Sequence, residues 1–321
     1  MKIIASSMVA LASVIFLPEE ALAQTSLWET YHKSGFWALL VDVNPAEAEK
    51  LFRRAIAEAW KLNDPGVKLA TSKLELALVL DGMGRYKDAL REAEQAVELQ
   101  EKADGPRGGT ATWTRSGLGR VLLHRDQYTA AERSFRNVLE VRQGDTSSDE
   151  FVGYSYRDLA ECYLAWGKLS QAQTCISKSL AIAEKWYGHE SQTWTPTGEL
   201  AHVLCISARV NLKLGHLAEA EVQAKRSLDL CEKTLPHAHR HPKVARSLAT
   251  LADVCLASEK FAEAEPLLAR AVAIEQLAFP NGHPDIAALL ESQAALMGRT
   301  GREAEAAKLV ERAREVRTRL K

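Results

Sequence analysis

The sequence predicts an all-α fold, a right-handed superhelical solenoid of about six to seven helix hairpins, on three observations. A small residue recurs as Ala48, Ala89, Ala131, Ala172, Ala220, Ala264 and Ala306, with gaps of 41, 42, 41, 48, 44 and 42 residues. Apolar residues recur at helical spacing on both sides of a break placed before each alanine. The break itself carries a glycine or another turn residue at a constant offset. Self-similarity with a period of about 20–50 residues marks stacked supersecondary units, each too small to bury its own apolar face.

The second unit shows the pattern. Leu69, Leu76, Ala77 and Leu80 make one apolar stripe. Gly82-Met83-Gly84 ends that helix, because glycine tolerates the left-handed backbone a helix C-terminus prefers. Ala89, Ala93, Ala96, Val97 and Leu99 make a second stripe. Alanine is needed where two helix backbones approach most closely.

The same register carries through the later units. One first-helix position reads Leu76, Leu118, Leu159, Ser207, Leu251 and Gln293, and is always followed by a small residue: Ala77, Gly119, Ala160, Ala208, Ala252 and Ala294. The turn position reads Gly84, Asp126, Gly167, Gly215, Glu259 and Gly301. A bulky residue follows as Tyr86, Tyr128, Leu169, Leu217 and Phe261, with Glu303 the exception. Seven residues beyond each reference alanine stand Ala96, Val138, Ser179, Ser227, Ala271 and Ala313.

This register resembles the tetratricopeptide repeat, in which a leucine and a small residue on the first helix face two small residues seven apart on the second. The period near 42 residues is similar to the kinesin-light-chain variety. His241-Pro242 and His283-Pro284 each open a unit, as in that variety. Proline suits the first helical turn, where its missing N–H is no loss. Two departures stand out. Between the fourth and fifth units an insert carries Trp186, Tyr187 and Trp194, placed either as a contact surface or as a cover for the seam. The first unit has Val43-Asn44-Pro45 where the others have the turn glycine.

The N-terminus reads as a separate element. Lys2 precedes an apolar run over residues 3–17, and Ala21-Leu22-Ala23 offers small residues to a signal peptidase. Cleavage is expected between Ala23 and Gln24, giving a periplasmic or secreted protein. The expected organisation is a signal peptide over 1–23, an atypical N-terminal hairpin over 24–66 and the repeat array over 67–321. No integral span is expected after cleavage, since no later segment reaches the roughly 20 apolar residues a spanning helix needs.

Hydrophobic residues make up 46% of the chain and charged residues 26%, which suits a folded protein rather than a disordered one. A formal net charge of -1 gives no general basic field for nucleic acid. The cysteines Cys162, Cys175, Cys205, Cys231 and Cys255 fall in apolar-periodic stretches, where cysteine behaves as a small hydrophobe. Only Cys162 and Cys175, flanking the turn at Gly167, are placed to pair; buried free thiols are the preferred reading.

No phosphate-binding glycine loop, nucleophile elbow or HExxH motif occurs, so no catalytic residues, cofactor or metal site are assigned. His237-Ala238-His239-Arg240-His241 is the one metal-like cluster, and its spacing fits an extended strand better than an inter-helix loop.

The resemblance implies a concave groove lined by first helices, with facing positions 18, 15, 11 and 8 residues before each reference alanine. These are Trp113, Ser116, Arg120 and Leu123, then Tyr154, Arg157, Glu161 and Leu164. Next come His202, Cys205, Arg209 and Leu212, and finally Arg246, Ala249, Asp253 and Leu256. Arg120, Arg157, Arg209 and Arg246 would climb one surface, with Trp113 and Tyr154 as apolar anchors. Alternatively these arginines pair internally with Glu161, Asp253 or Asp158. The expected function is a non-enzymatic protein-interaction scaffold of the bacterial cell envelope. It would bind a protein or peptide segment, an acidic stretch or a free C-terminus. The alternatives are a self-assembling structural solenoid and a metal-responsive sensor using residues 237–241. The charged last helix, from Lys308 to Lys321, argues for a solubilising cap rather than open-ended stacking.

Overall fold

A computed structural model describes residues 26–105, 108–144, 149–187, 194–280 and 282–319. The leader, with its cleavage point, lies outside the described residues, as do residues 188–193 of the insert. Fourteen α-helices are described, pairing as seven consecutive antiparallel hairpins. They are α1 (Leu27–Leu40), α2 (Pro45–Ala59), α3 (Gly66–Gly82), α4 (Tyr86–Asp104), α5 (Gly109–Leu123), α6 (Tyr128–Gly144) and α7 (Asp149–Ala165), followed by α8 (Leu169–Tyr187), α9 (Trp194–Leu214), α10 (Leu217–Thr234), α11 (Pro242–Ala257), α12 (Phe261–Ala278), α13 (Pro284–Arg299) and α14 (Glu303–Arg319).

The turns follow one design. Gly84, Asp126, Gly167, Gly215, Glu259 and Gly301 all adopt positive φ, between 58° and 83°. Behind each, the next residue's N–H reaches back five residues: Arg85 to the Leu80 carbonyl (2.9 Å), Gln127 to Leu122 (3.0 Å), Lys168 to Tyr163 (2.8 Å), His216 to Asn211 (2.9 Å), Lys260 to Cys255 (2.8 Å) and Arg302 to Met297 (2.8 Å). This is the Schellman closure, which satisfies carbonyls left open at a helix C-terminus. The first hairpin is the variant. Val43 holds φ 50°, and the closing bond runs from Asn44 N–H to the Ala38 carbonyl at 2.8 Å, one residue wider. Asn44 then caps α2 through Oδ1, which accepts from the Glu47 N–H at 3.1 Å.

The small residues sit where the backbones meet. The first six reference alanines are fully buried, whereas Ala306 is half-buried. A Cβ on Gly119 would fall 2.5 Å from the Phe135 ring, so glycine at that position is what admits the phenylalanine. Ser179 and Ser227 use their small size and their hydroxyls together. They donate across the hairpin seams to the carbonyls of Gly153 (3.0 Å) and Ala201 (2.7 Å). All five cysteines are free thiols, four buried and Cys175 half-buried, so the considered Cys162–Cys175 pair is not formed.

Successive first helices α3, α5, α7, α9, α11 and α13 touch one another as well as their own partners, while the second helices do not approach in this way. Crowding on one side of a stack bends it toward that side, so the first helices line the concave face. The winding goes far enough to bring distant hairpins together: a Cβ on Gly84 would lie 3.0 Å from Pro284 Cδ. Part of the insert is helical rather than loop, since α8 runs to Tyr187 and α9 starts at Trp194. Trp186 is 45% exposed, and the side chains of Tyr187 and Trp194 lie outside the described residues. No helix among the described residues is long and apolar enough to cross a membrane.

Candidate binding groove

The predicted groove positions divide into a floor and a set of charged walls. Ser116 and Cys205 are buried: Ser116 donates to Asp158 Oδ2 at 2.7 Å, and Cys205 Sγ lies 3.2 Å from Thr250 Oγ1. Leu123 and Leu164 are buried, and Leu212 and Leu256 half-buried. These side chains pack the first helices against one another and leave the walls to longer ones.

The aromatic anchors form one cluster at the start of the groove. Trp113 and Tyr154 are both half-buried and both meet Phe151 edge to face, with ring centroids 6.4 and 5.9 Å apart. The Arg142 guanidinium lies 5.7 Å from the rings of Trp113 and Phe151, and that of Arg157 lies 5.3 Å from Tyr154. The Tyr154 hydroxyl donates to Glu150.

The four arginines have different surroundings. Arg157 is engaged within the scaffold: it bonds Asp158 Oδ1 at 2.7 and 3.0 Å from α7 and Glu199 from α9. Burial lowers its pKa, but Asp158 and Glu199 more than offset this and hold it above the usual arginine value. Arg209 and Arg246 both face Glu161, at 3.9 and 4.0 Å, and His202 Nε2 lies 4.0 Å from the same carboxylate. Burial would raise the Glu161 pKa, yet His202 and the two arginines hold it well below the usual carboxylate range. Burial and Arg157 push His202 well below its ordinary value, with Glu161 opposing the shift. Glu161 is therefore an anion shared between two half-exposed guanidinium groups, neither at hydrogen-bond distance. Arg120 is exposed and makes no ion pair among the described residues. Asp253 is also exposed, its pKa raised by burial of the carboxyl and lowered in part by Arg209 and Lys213.

The internal-pairing alternative thus holds for Arg157 and partly for Arg209 and Arg246. The sequence reading missed Glu199 as a partner. Arg157–Glu199, Ser116–Asp158 and Arg226–Glu184 each tie one hairpin to the next. A row on the turn edge was also missed: Tyr128 stacks on Trp166 with centroids 6.0 Å apart, and Lys168 Nζ lies 3.2 Å from the Trp166 ring centre.

The histidine loop does not gather as a metal site. Residues Ala238–Arg240 form a single 3-10 turn, and the rings of His237 and His239 stand 6.0 Å apart at 88°. His241 Nδ1 instead accepts the Lys243 N–H at 3.2 Å, capping α11. His283 caps α13 in the same way through Asp285, at 3.1 Å. Both histidines thus open helices, as the His-Pro pairs predict.

The repeat pattern identifies the family. Tetratricopeptide-repeat profiles match residues 69–106, 109–185 and 199–276, together more than half of the chain. The chain belongs to the tetratricopeptide-repeat family. It is 27% identical over 172 residues to the Tonsoku-like protein of Bos taurus, a match covering 50% of this chain and 12% of that protein. It therefore spans only about an eighth of that curated relative. Among solved structures, the Rap conjugation gene regulator of the plasmid pLS20, in complex with the Phr* peptide, superposes with a TM-score of 0.70 at 15% identity, covering 96% of this chain and 78% of that one. A putative kinesin light chain repeat protein from Podospora anserina aligns at 24% identity over 64% of this chain and 94% of that one, with a TM-score of 0.44.

Proposed function

We propose that this chain is a non-enzymatic binding scaffold that holds an extended peptide or protein segment in its concave groove. The carrying observation is the pair Arg209 and Arg246, both near Glu161 without a hydrogen bond to it, with Arg120 exposed on the same series of positions. Guanidinium groups at such distances are ready to exchange a loose internal anion for a carboxylate of the ligand, gaining bidentate bonds in place of long-range attraction. The chemistry favours an acidic segment or a free C-terminus. Trp113 and Tyr154 supply apolar contact at the other end of the same face.

The Rap regulator whose fold superposes on this chain is seen with the Phr* peptide, which supports a peptide as occupant. The apolar run and Ala21-Leu22-Ala23 at the N-terminus support action in the bacterial cell envelope after signal cleavage. The reading adds a non-catalytic role, since the groove presents charge pairs and aromatic rings rather than a nucleophile with a base.

The test is a binding comparison with a library of acidic and neutral C-terminal peptides. Arg120→Ala combined with Arg209→Ala should weaken acidic peptides at least tenfold, leaving helicity unchanged. Undiminished binding by the double variant would remove the groove from consideration. A tagged full-length chain should, in addition, accumulate in the periplasm in processed form; cytoplasmic retention of the unprocessed chain overturns the envelope assignment alone.

A further inference from the structure

In four of the second helices the residue eleven past the reference alanine is buried and reaches toward the next first helix. At the second hairpin it is Gln100, which donates to Thr110 Oγ1 at 2.6 Å. At the third it is Arg142, which donates to the Phe151 carbonyl (3.0 Å) and Ser155 Oγ (2.9 Å). At the fifth it is Cys231, whose Sγ lies 3.7 Å from Ser247 Oγ. At the sixth it is Glu275, only 3% exposed, and its Oε2 has no hydrogen-bond partner. A buried polar oxygen left without a donor is costly.

Two further ligand-type groups converge on it. Glu275 on α12 and His283 and Asp285 at the start of α13 each offer one atom, and the three atoms lie within 4.8 Å of one another. Among the described residues no arginine or lysine comes within ion-pair distance of Glu275. The His283 ring is fixed by stacking on Phe279, with centroids 4.4 Å apart and planes at 22°. Its Nδ1 accepts the Asp285 N–H at 3.1 Å, so the neutral ring carries its proton on Nε2 and holds the Nδ1 lone pair in a fixed direction on the Asp285 side. Asp285 is exposed, which leaves an entry side and room for water to complete a coordination shell.

We propose that Glu275, His283 and Asp285 bind a divalent transition-metal ion of the zinc class, one per chain, at the seam between α12 and α13. One imidazole and two carboxylates select such an ion over calcium or magnesium, which take oxygen alone. The preceding seam shows that the set is particular to this place. It has the same capping histidine, His241, but Cys231 stands in the position of Glu275 and Lys243 in that of Asp285. Lys243 would repel a cation where Asp285 attracts one. Nδ1 of His283 now accepts the Asp285 N–H, and the Asp285 carboxylate lies 3.6 Å from it. Metal entry exchanges that capping bond for coordination by the same two residues. The site adjoins the place where Pro284 meets Gly84, so the ion also braces the contact between the second and seventh hairpins.

The experiment is a calorimetric titration of the tag-free, chelator-stripped full chain with zinc chloride, repeated with cobalt chloride for its visible spectrum. One ion per chain is expected, with a raised melting temperature. Glu275→Gln and His283→Asn should each weaken zinc at least about tenfold. Asparagine keeps the helix cap while removing the imidazole. His239→Ala should bind as the parent does. Absence of stoichiometric zinc binding overturns the proposal, as does full affinity in both Glu275→Gln and His283→Asn, or loss of binding in His239→Ala, which would place the ion on the loop. Should Glu275→Gln fail to fold, Asp285→Asn decides, because that side chain is exposed: retained affinity there overturns the site and weakened affinity supports it. No peptide is present, so the outcome is independent of the groove reading.

Discussion

At the scale of the residue, the turn position shows what a single side chain contributes. Asp126 and Glu259 hold φ 58° where four other repeats place glycine. A left-handed backbone costs a residue with a Cβ about 1–2 kcal/mol. Glu259→Gly is therefore expected to raise stability by up to about 1 kcal/mol, after the added freedom of the unfolded glycine is deducted. Denaturant unfolding measures it; a loss of stability would refute it. The exposed Glu259–Arg299 pair, at 3.0 Å, contributes too little to reverse the sign.

A second residue-scale prediction concerns Glu75 on α3. Burial pushes its carboxyl up to about 7 from 4.5, with Arg120 opposing the shift. The folded chain holds this proton more tightly than the unfolded chain does. Stability from this group is thus greatest below pH 4.5, falls as pH rises toward about 7, and is level above that. Glu75→Gln should raise the melting temperature at about pH 8 and leave it unchanged at about pH 4. An equal gain at both pH values would show that the charge is not the cause.

At the scale of the element, neighbouring hairpins are joined by apolar packing and by polar ties between first helices. Arg157 is the strongest of these ties, joining α7 to Asp158 beside it and to Glu199 on α9. Asp158 is 3% exposed and also accepts from Ser116 on α5, so three first helices share one network. Removing one member leaves carboxylates without their cation. Arg157→Ala is expected to destabilise the chain by about 3 kcal/mol. Its effect on peptide affinity should be small once unfolded material is discounted. A large affinity loss at unchanged stability would instead place Arg157 among the contact residues. This is why Arg120 and Arg209, and not Arg157, are the variants that test the groove.

At the scale of the whole molecule, the superhelix winds until its second hairpin meets its seventh. Gly84 and Gly167 share the same left-handed conformation, φ 75° and 78°, but differ in surroundings. A Cβ at Gly167 meets nothing within 4 Å, whereas one at Gly84 falls 3.0 Å from Pro284. Gly167→Ala reports the backbone cost alone, about 1 kcal/mol or slightly more. Gly84→Ala should cost more and should increase the radius of gyration measured by small-angle X-ray scattering. Equal costs with unchanged dimensions would show that the two hairpins are apart in solution.

The period, the turn positions and the small-residue seams were all legible in the sequence, because each is a local requirement repeated from unit to unit. A left-handed turn asks for glycine, a close helix contact asks for alanine, and the spacing between them is set by helix length. Even the non-glycine turns Asp126 and Glu259 could be placed, since the register around them is intact. The first hairpin was legible only as a departure; its wider closing bond, Asn44 to Ala38, came from the structure. The groove was legible as a set of positions, but not as a set of free groups. Whether Arg157 faces a ligand or Glu199 depends on how one hairpin is rotated against the next, a quantity summed over many small contacts. The approach of Glu275, His283 and Asp285, and that of Gly84 to Pro284, arise in the same way. Local sequence determines each hairpin, whereas inter-hairpin angles, accumulated along the stack, decide which distant residues meet.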